Sequence, residues 1–216
     1  RAFAADPRLV CLGPRILARY TIPPPLWLSE FDWALAIRDL GSQPLSWALA
    51  DGSPLPPFTP IGAGLALRTR ALPSYRAHAR RHEKEILARS WIGPGRGGNE
   101  DKDLVLTLLR AGGRVGYCPA AVLHHLIPPS RTESAYLEKL LPGLGYLWMR
   151  TLHAHDLAHP APVSRAGAAV RSARAWFRHR AWRRPVERLR WLYSAGIFRG
   201  LADNAEDSFR YPSPSP

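Results

Sequence analysis

Three acidic side chains gather where a helix is predicted to begin, in residues 97–104 with the sequence GGNEDKDL. Glu100, Asp101 and Asp103 follow two glycines and an asparagine. A carboxylate held on a rigid helix beside a cleft can accept the proton of a substrate hydroxyl, which is general-base chemistry. Acids are also favoured in a first helical turn by the macrodipole alone, each by roughly 0.3 to 1 kcal/mol. These residues by themselves leave both interpretations open.

Asp101 and Asp103 also spell DxD, a pattern with which some transferases hold a divalent metal and a nucleotide diphosphate. Side chains two residues apart on a helix diverge by roughly 200°, so these two carboxylates should not coordinate the same ion. Gly93, Gly95 and Gly98 formally match G-x-G-x-x-G, but a helical pattern rather than a strand precedes them. We therefore interpret the glycines as a loop that closes over substrate, and Asp103 as a helix-capping residue.

Histidines offer two further candidate sites. His124 and His125 end a predicted strand, and only one of them can face a cleft because successive strand side chains point to opposite faces. His155 and His159, the last two of H-x-H-x-x-x-H, can share a helix face and a zinc ion. Structural histidines are the alternative in both places, and the residues alone do not decide.

Composition limits the classes of protein to consider. The chain has 216 residues with 46% hydrophobic content, enough for one sizeable core. No apolar run approaches the roughly 20 residues that span a bilayer. The net charge of +13 favours anionic partners: nucleic acid, an acidic membrane surface or phosphorylated substrates. Cys11 and Cys118 lie in apolar runs and are predicted to be buried free thiols in a reducing compartment.

Strand-like and helical segments follow one another along the first part of the chain. Apolar runs predict strands at residues 9–13 and 61–70, and a pair of short strands, or one bent strand, around Pro119. Helical patterns cover residues 26–40, 73–91 and 133–157, and a long surface loop is expected at residues 41–60.

The firmest helix follows Asn99, which is predicted to cap it. Its apolar face comprises Leu104, Val105, Leu108 and Leu109, and two glycines at positions 112 and 113 stop it.

The C-terminal stretch has a different character. Residues 165–199 contain ten arginines and one acid, interleaved with aromatic and aliphatic residues, and Pro185 should divide them into two helices. An amphipathic helix pair lying on an anionic leaflet explains arginine and tryptophan together. Nucleic-acid binding and simple packing against the domain are the alternatives.

The order of the motifs resembles the C-terminal half of a family 2 glycosyltransferase. Residues 60–72 read PIGAGLALRTRAL, residues 99–131 read NEDKDLVLTLLRAGGRVGYCPAAVLHHLIPPSR, and a long helix with LPGLGYLWMR follows. In that family a segment such as GANMAFRR precedes GEDTDLGLRLRRAGYRI and then PDAVVYHRVPPERLT. The opening FAADPRLVCLGPRI is similar to the stretch after the family's metal-binding DxD. The resemblance covers about residues 1–150.

The resemblance implies a GT-A fold, which is an α/β mixed sheet flanked by helices, here with a C-terminal α-helical extension. It implies inverting transfer of a sugar from a nucleotide-diphosphate donor to an acceptor hydroxyl, with a divalent metal (Mg²⁺ or Mn²⁺). Asp101 would be the general base and Glu100 its companion. Gly62, Ala63 and Gly64 would contact substrate.

The same resemblance places the family's histidine before the Pro-Pro loop on His125, as a metal or diphosphate contact. Arg131 would neutralise a phosphate. The chain departs from the pattern at Gly64, where the family has Asn, and in PPSR, where the family has PPER. The family's nucleotide-binding strands and DxD are not in this chain, which begins at Arg1, so we expect a piece of a longer protein that is inactive alone.

These considerations predict three parts: the GT-A portion at residues 1–158, a basic helical extension at 159–210 and a disordered tail at 211–216. The acceptor is expected to be a saccharide or lipid-linked molecule of polysaccharide or glycolipid synthesis. An anionic membrane surface is a further expected partner, whereas nucleic acid is not expected. The expected location is the cytoplasm, or the inner face of the cell membrane. The alternative is a non-enzymatic basic module that binds a membrane or nucleic acid.

Overall fold

The fold is built on a mixed sheet of four strands in the order β2-β4-β1-β3. The computed structural model describes residues 2–49, 55–87, 98–207 and 209–212. The strands are β1 (Leu9–Tyr20), β2 (Leu45–Ala48), β3 (Ala66–Leu67) and β4 (Arg114–Ile127). The two long central strands run parallel, and the short outer strands pair antiparallel to them. The predicted α/β class, with a mixed sheet flanked by helices, is confirmed.

Helices surround the sheet and make up the C-terminal part. The α-helices are α1 (Ala2–Ala5), α2 (Leu72–Arg81), α3 (Glu83–Leu87), α4 (Glu100–Arg110), α5 (Ser134–Ala154), α6 (Arg165–His179) and α7 (Pro185–Glu206). Three 3₁₀ helices cover Leu26–Leu35, Thr69–Ala71 and Pro129–Arg131. Among the described residues, no helix is both long and apolar enough to cross a membrane.

Strand β1 is longer than predicted, because it continues past the Gly13-Pro14 pair that was expected to end it. Its register with β4 shifts at this point, where Pro14 is opposite Cys118 and the next residue is opposite Val122. Residues 119–121 therefore form a bulge on β4. Proline has no backbone N–H for a ladder, and here prolines of both strands lie at the interruption. The alternative of one bent strand around Pro119 is the correct one, and both cysteines are free.

Four predicted elements are wrong in type or extent. The helix expected at residues 26–40 is a 3₁₀ helix that stops at Ala36, whose φ of 60° is left-handed. The expected loop at 41–60 contains β2, whose partner β4 supplies the hydrogen bonds. The strand expected at 61–70 is reduced to β3, since a turn at Gly64 (φ 74°) occupies its first half. The helix expected at 73–91 is divided into α2 and α3, and its last residues lie outside the described part.

Helix α4 has the predicted ends, although its cap differs. Gly112 takes a φ of 83° and stops the helix, as expected. Asn99 stands before the first residue, yet its side chain makes no capping hydrogen bond. Its amide donates instead to the Thr151 hydroxyl on α5, at 3.2 Å. The asparagine thus connects two helices, and the capping prediction is wrong.

The C-terminal helices share a core with the rest of the chain. Leu28 and Phe31 of the 3₁₀ helix pack with Leu137 and Leu141 of α5 and Leu189 of α7, all of them buried. Helices α6 and α7 separate at Pro185, as predicted. The predicted tail does not begin at residue 211, because Tyr211 is 3% exposed. Its N–H donates to the Ala154 carbonyl at 2.7 Å.

Glycines let α5 and α7 approach each other closely. A Cβ at Gly196 would overlap the Pro142 carbonyl oxygen, and one at Gly200 would lie 2.7 Å from the Tyr146 carbonyl oxygen. Backbone atoms cannot move aside as a flexible side chain can, so this contact requires glycine.

Gly196→Ala should therefore destabilise the protein by roughly 3 kcal/mol, since the overlap outweighs the gain of up to about 1 kcal/mol in helix propensity. Urea unfolding measures the change. Gly167→Ala in α6 is the matched control, because its Cβ would meet only the Ser164 hydroxyl at 3.3 Å and the Val163 side chain. Equal stability of the two variants would contradict the close packing.

Candidate active site

Asp101 is fixed at the second residue of α4 by two backbone hydrogen bonds. Gly62 N–H donates to its Oδ2 at 2.6 Å, and Lys102 N–H donates to its Oδ1 at 2.7 Å. The structure thus brings together the glycine segment and the acidic helix start, which are 39 residues apart in the sequence. A carboxylate offers about four acceptor positions, so both oxygens keep capacity for a further donor.

A pocket of about 190 Å³ opens beside this carboxylate. One side of the pocket is formed by residues 33–38, at the end of the 3₁₀ helix Leu26–Leu35 and just after it. The adjacent side is formed by the turn at residues 61–63. The remaining lining comes from Gly98, Asp101, Lys102 and Leu144. Three separate chain segments and α5 therefore converge on the predicted base.

The other predicted substrate contacts divide between this pocket and the scaffold. Gly62 and Ala63 line the pocket, whereas Gly64 does not. A Cβ at Gly64 would lie 2.7 Å from Cγ of Pro14, so glycine is needed there for the turn against β1. Glu100 is exposed and outside the pocket lining, so its role beside Asp101 stays a prediction. Of the glycine loop expected to close over substrate, Gly98 lines the pocket and the others lie outside the described residues.

His125 interacts with the charge of Arg131 and with the backbone of Leu35, the last residue of the 3₁₀ helix Leu26–Leu35. Burial lowers the pKa of His125 and the charge of Arg131 lowers it further, while the Leu35 backbone opposes both. Nδ1 of His125 is buried, and its contacts with the described residues do not satisfy it fully. The Arg131 guanidinium lies over the Tyr136 ring, 5.8 Å from its centroid. Neither residue lines the pocket at Asp101.

A divalent metal finds few ligands in the described part of the chain. No group of three or more His, Cys, Asp or Glu side chains there is arranged to hold one. Mg²⁺ and Mn²⁺ prefer oxygen ligands, and His125 offers a buried nitrogen. The described residues thus do not by themselves fit the metal that the resemblance implies.

Asp103 lies on the opposite side of α4 from Asp101, as the helical geometry predicted for the DxD pattern. Its carboxylate is buried, and the assignment to helix capping is wrong. His155 Nε2 contacts Oδ1 at 2.9 Å, and His78 Nε2 contacts Oδ2 at 3.3 Å. Burial raises the pKa of Asp103, but these two histidine contacts outweigh it and hold the pKa below its usual value.

This buried cluster was not identified from the sequence. The Tyr211 ring covers it, with centroids 4.4, 4.8 and 4.7 Å from those of His78, His82 and His155. The i, i+4 spacing of His78 and His82, within the helix that the sequence predicts at residues 73–91, was an available signal. The expected pairing of His155 with His159 is wrong, because His159 contacts His153 at 3.1 Å instead.

Comparisons of the chain with protein-family models, with curated proteins and with solved structures found no match. The resemblance to a family 2 glycosyltransferase therefore rests on the sequence motifs alone.

The cluster should make stability fall in mild acid. Burial lowers the pKa of His155, although Asp103 opposes this. Below about pH 6.5 the unfolded chain binds a proton that the folded protein excludes, so stability is lost as the pH falls. His155→Gln should reduce the loss between pH 7.5 and 5.5 by about 1 kcal/mol, as measured by urea unfolding at both pH values.

His124→Gln is the control for this experiment, since His124 is exposed on β4. It should keep the pH dependence of the original protein. A His155→Gln variant with an unchanged pH dependence would show that His155 is not the group that titrates.

Proposed function

We propose that this chain is the acceptor-side, catalytic-base portion of an inverting, family 2-like glycosyltransferase with a GT-A fold. The observation that carries the proposal is the Asp101 carboxylate, oriented by Gly62 N–H and Lys102 N–H at the wall of a pocket. Backbone donors hold it in one orientation without occupying all of its acceptor positions. A structural cap needs no pocket in front of it, so this arrangement favours a base over simple helix capping.

In the proposed reaction an acceptor hydroxyl donates a hydrogen bond to Asp101. Its oxygen forms a bond to the anomeric carbon of the donor sugar while the bond from that carbon to the diphosphate oxygen breaks. The diphosphate leaves with the bonding electrons, the hydroxyl proton moves to Asp101, and the anomeric configuration inverts. Asp101 then releases the proton to solvent.

The departing diphosphate requires positive charge opposite the base. Arg131 supplies a positive charge, and His125, whose pKa is lowered by burial and by Arg131, supplies a neutral polar contact. The Mg²⁺ or Mn²⁺ of the resemblance stays a prediction, and no step is assigned to it. The donor is a nucleotide-diphosphate sugar and the acceptor a saccharide or lipid-linked molecule, consistent with polysaccharide or glycolipid synthesis in the cytoplasm.

The corner between α6 and α7 supports attachment to the inner membrane face. Phe177 and Trp182 are 64% and 53% exposed there, and they pack with Trp176 into one aromatic group. Arg178, Arg180, Arg183 and Arg184 are exposed around it, and none of the four forms an ion pair with a described residue. Aromatic rings flanked by free arginines suit the interface of an anionic leaflet.

If Asp101 is the base, Asp101→Asn should lower sugar transfer by the complete protein at least about 100-fold. The reason is that an amide cannot accept the proton of the acceptor hydroxyl. Donor binding should be retained. Transfer is measured with a radiolabelled donor, and donor affinity by calorimetry.

Asp156→Asn is the matched control, since the Asp156 side chain is 80% exposed and away from the pocket. It should leave transfer unchanged. Full turnover by Asp101→Asn would remove Asp101 from the role of base.

If this corner binds an anionic membrane, the double substitution Phe177→Ala and Trp182→Ala should weaken binding to phosphatidylserine vesicles about tenfold or more. The reason is that burial of one large apolar side chain is worth roughly 1.5 to 3 kcal/mol. Vesicle sedimentation measures this binding, which should also weaken as salt rises. Val122→Ala removes another half-exposed apolar side chain, on β4, and should have no effect. Binding that is insensitive to salt would contradict the docking surface.

A further inference from the structure

The backbone N–H of Lys102 orients the base, but its side chain takes no part in the proposed reaction, although Lys102 lines the same pocket. Its ammonium lies over the Trp148 ring, 4.7 Å from the centroid. Within the described part of the chain it forms no ion pair.

Arg38 adds a second cation to the pocket. Its Nη1 donates to the carbonyls of Trp33 at 3.1 Å and Ile37 at 2.8 Å, which fixes the guanidinium in place. The remaining nitrogens make no hydrogen bond to a described residue and keep their donor capacity. The pocket thus combines one carboxylate with two cations, and a neutral ligand would leave one positive charge unbalanced.

The pocket volume limits the size of what binds. About 190 Å³ is below the roughly 300 Å³ at which pockets for drug-sized ligands begin, so one sugar-sized unit is the appropriate occupant.

We propose that the acceptor unit bound beside Asp101 carries an acidic group, a carboxylate or a phosphate, which pairs with Lys102 while a hydroxyl of the same unit faces Asp101. Arg38 helps to orient that acidic group. This substrate class rests on the proposed function, because it names the acceptor of the same reaction. Lys102 is a specificity-determining residue and takes no proton from the acceptor.

The surroundings of Lys102 give this preference a distinctive pH dependence. Burial lowers the pKa of Lys102 and Arg38 lowers it further, while Asp101 opposes both. As the pH rises, the ammonium loses its proton earlier than an ordinary lysine, whose pKa is about 10.4. The preference for an acidic ligand should therefore disappear at a lower pH than usual for lysine.

Ligand-detected NMR on the full chain tests the proposal with glucuronate, glucose 6-phosphate and glucose. We expect at least one acidic ligand to bind about tenfold tighter than glucose, and the two acidic ligands distinguish carboxylate from phosphate. Lys102→Met should abolish the preference and Lys102→Arg should restore it, without the pH-dependent loss. Lys139→Met, at an exposed lysine of α5, should change nothing.

Equal affinity for acidic and neutral ligands would overturn the proposal, as would a preference that survives Lys102→Met. Competition between glucuronate and a nucleoside diphosphate would also overturn it, because Lys102 would then belong to the donor side. No turnover is needed for these measurements. If the preference for an acidic ligand is absent, the assignment of Asp101 as the base still stands. If Asp101→Asn remains active, that assignment is refuted, but the binding preference is unaffected.

Discussion

The first turn of α4 is held from two sides, and the arrangement of the site depends on this. Gly62 N–H holds Asp101 towards the pocket, while His155 and His78 hold Asp103 in the interior. Residues two apart on a helix point in nearly opposite directions, so the same DxD sequence supplies one acid that lines a pocket and one that is buried and paired. Buried, paired Asp103 resists rotation of the helix, because any rotation would expose or unpair its charge. That constraint keeps the Asp101 carboxylate in a fixed orientation.

Helices α5 and α7 extend this constraint to the rest of the chain. Asn99, just before α4, donates to Thr151 on α5, and α5 contacts α7 through glycine-dependent close packing. Leu144 of α5 also lines the pocket at Asp101. The C-terminal helices therefore support the candidate site from behind, while their arginine-rich corner remains exposed.

Hydrophobic periodicity and helix stop signals predicted the elements whose patterns are local. Helix α4, the long α5 and the division at Pro185 all follow from apolar spacing, glycine and proline. The errors arise where tertiary contacts override local preference. Strand β2 exists because β4 supplies its hydrogen bonds, and β1 passes Pro14 because its partner bulges there. In the site, helical geometry separated Asp101 from Asp103. No local pattern indicates that His155, which is 52 residues from Asp103 in the sequence, converges on it together with His78.

In the proposed function, Asp101 deprotonates an acceptor hydroxyl during an inverting transfer of sugar. The most direct measurement is the anomeric configuration of the first product formed by the complete protein. Proton NMR determines it from the coupling constant of the anomeric proton. A single displacement aided by a base predicts a β-linked product from an α-linked nucleotide-diphosphate sugar. An α-linked product would mean retention and would contradict the account.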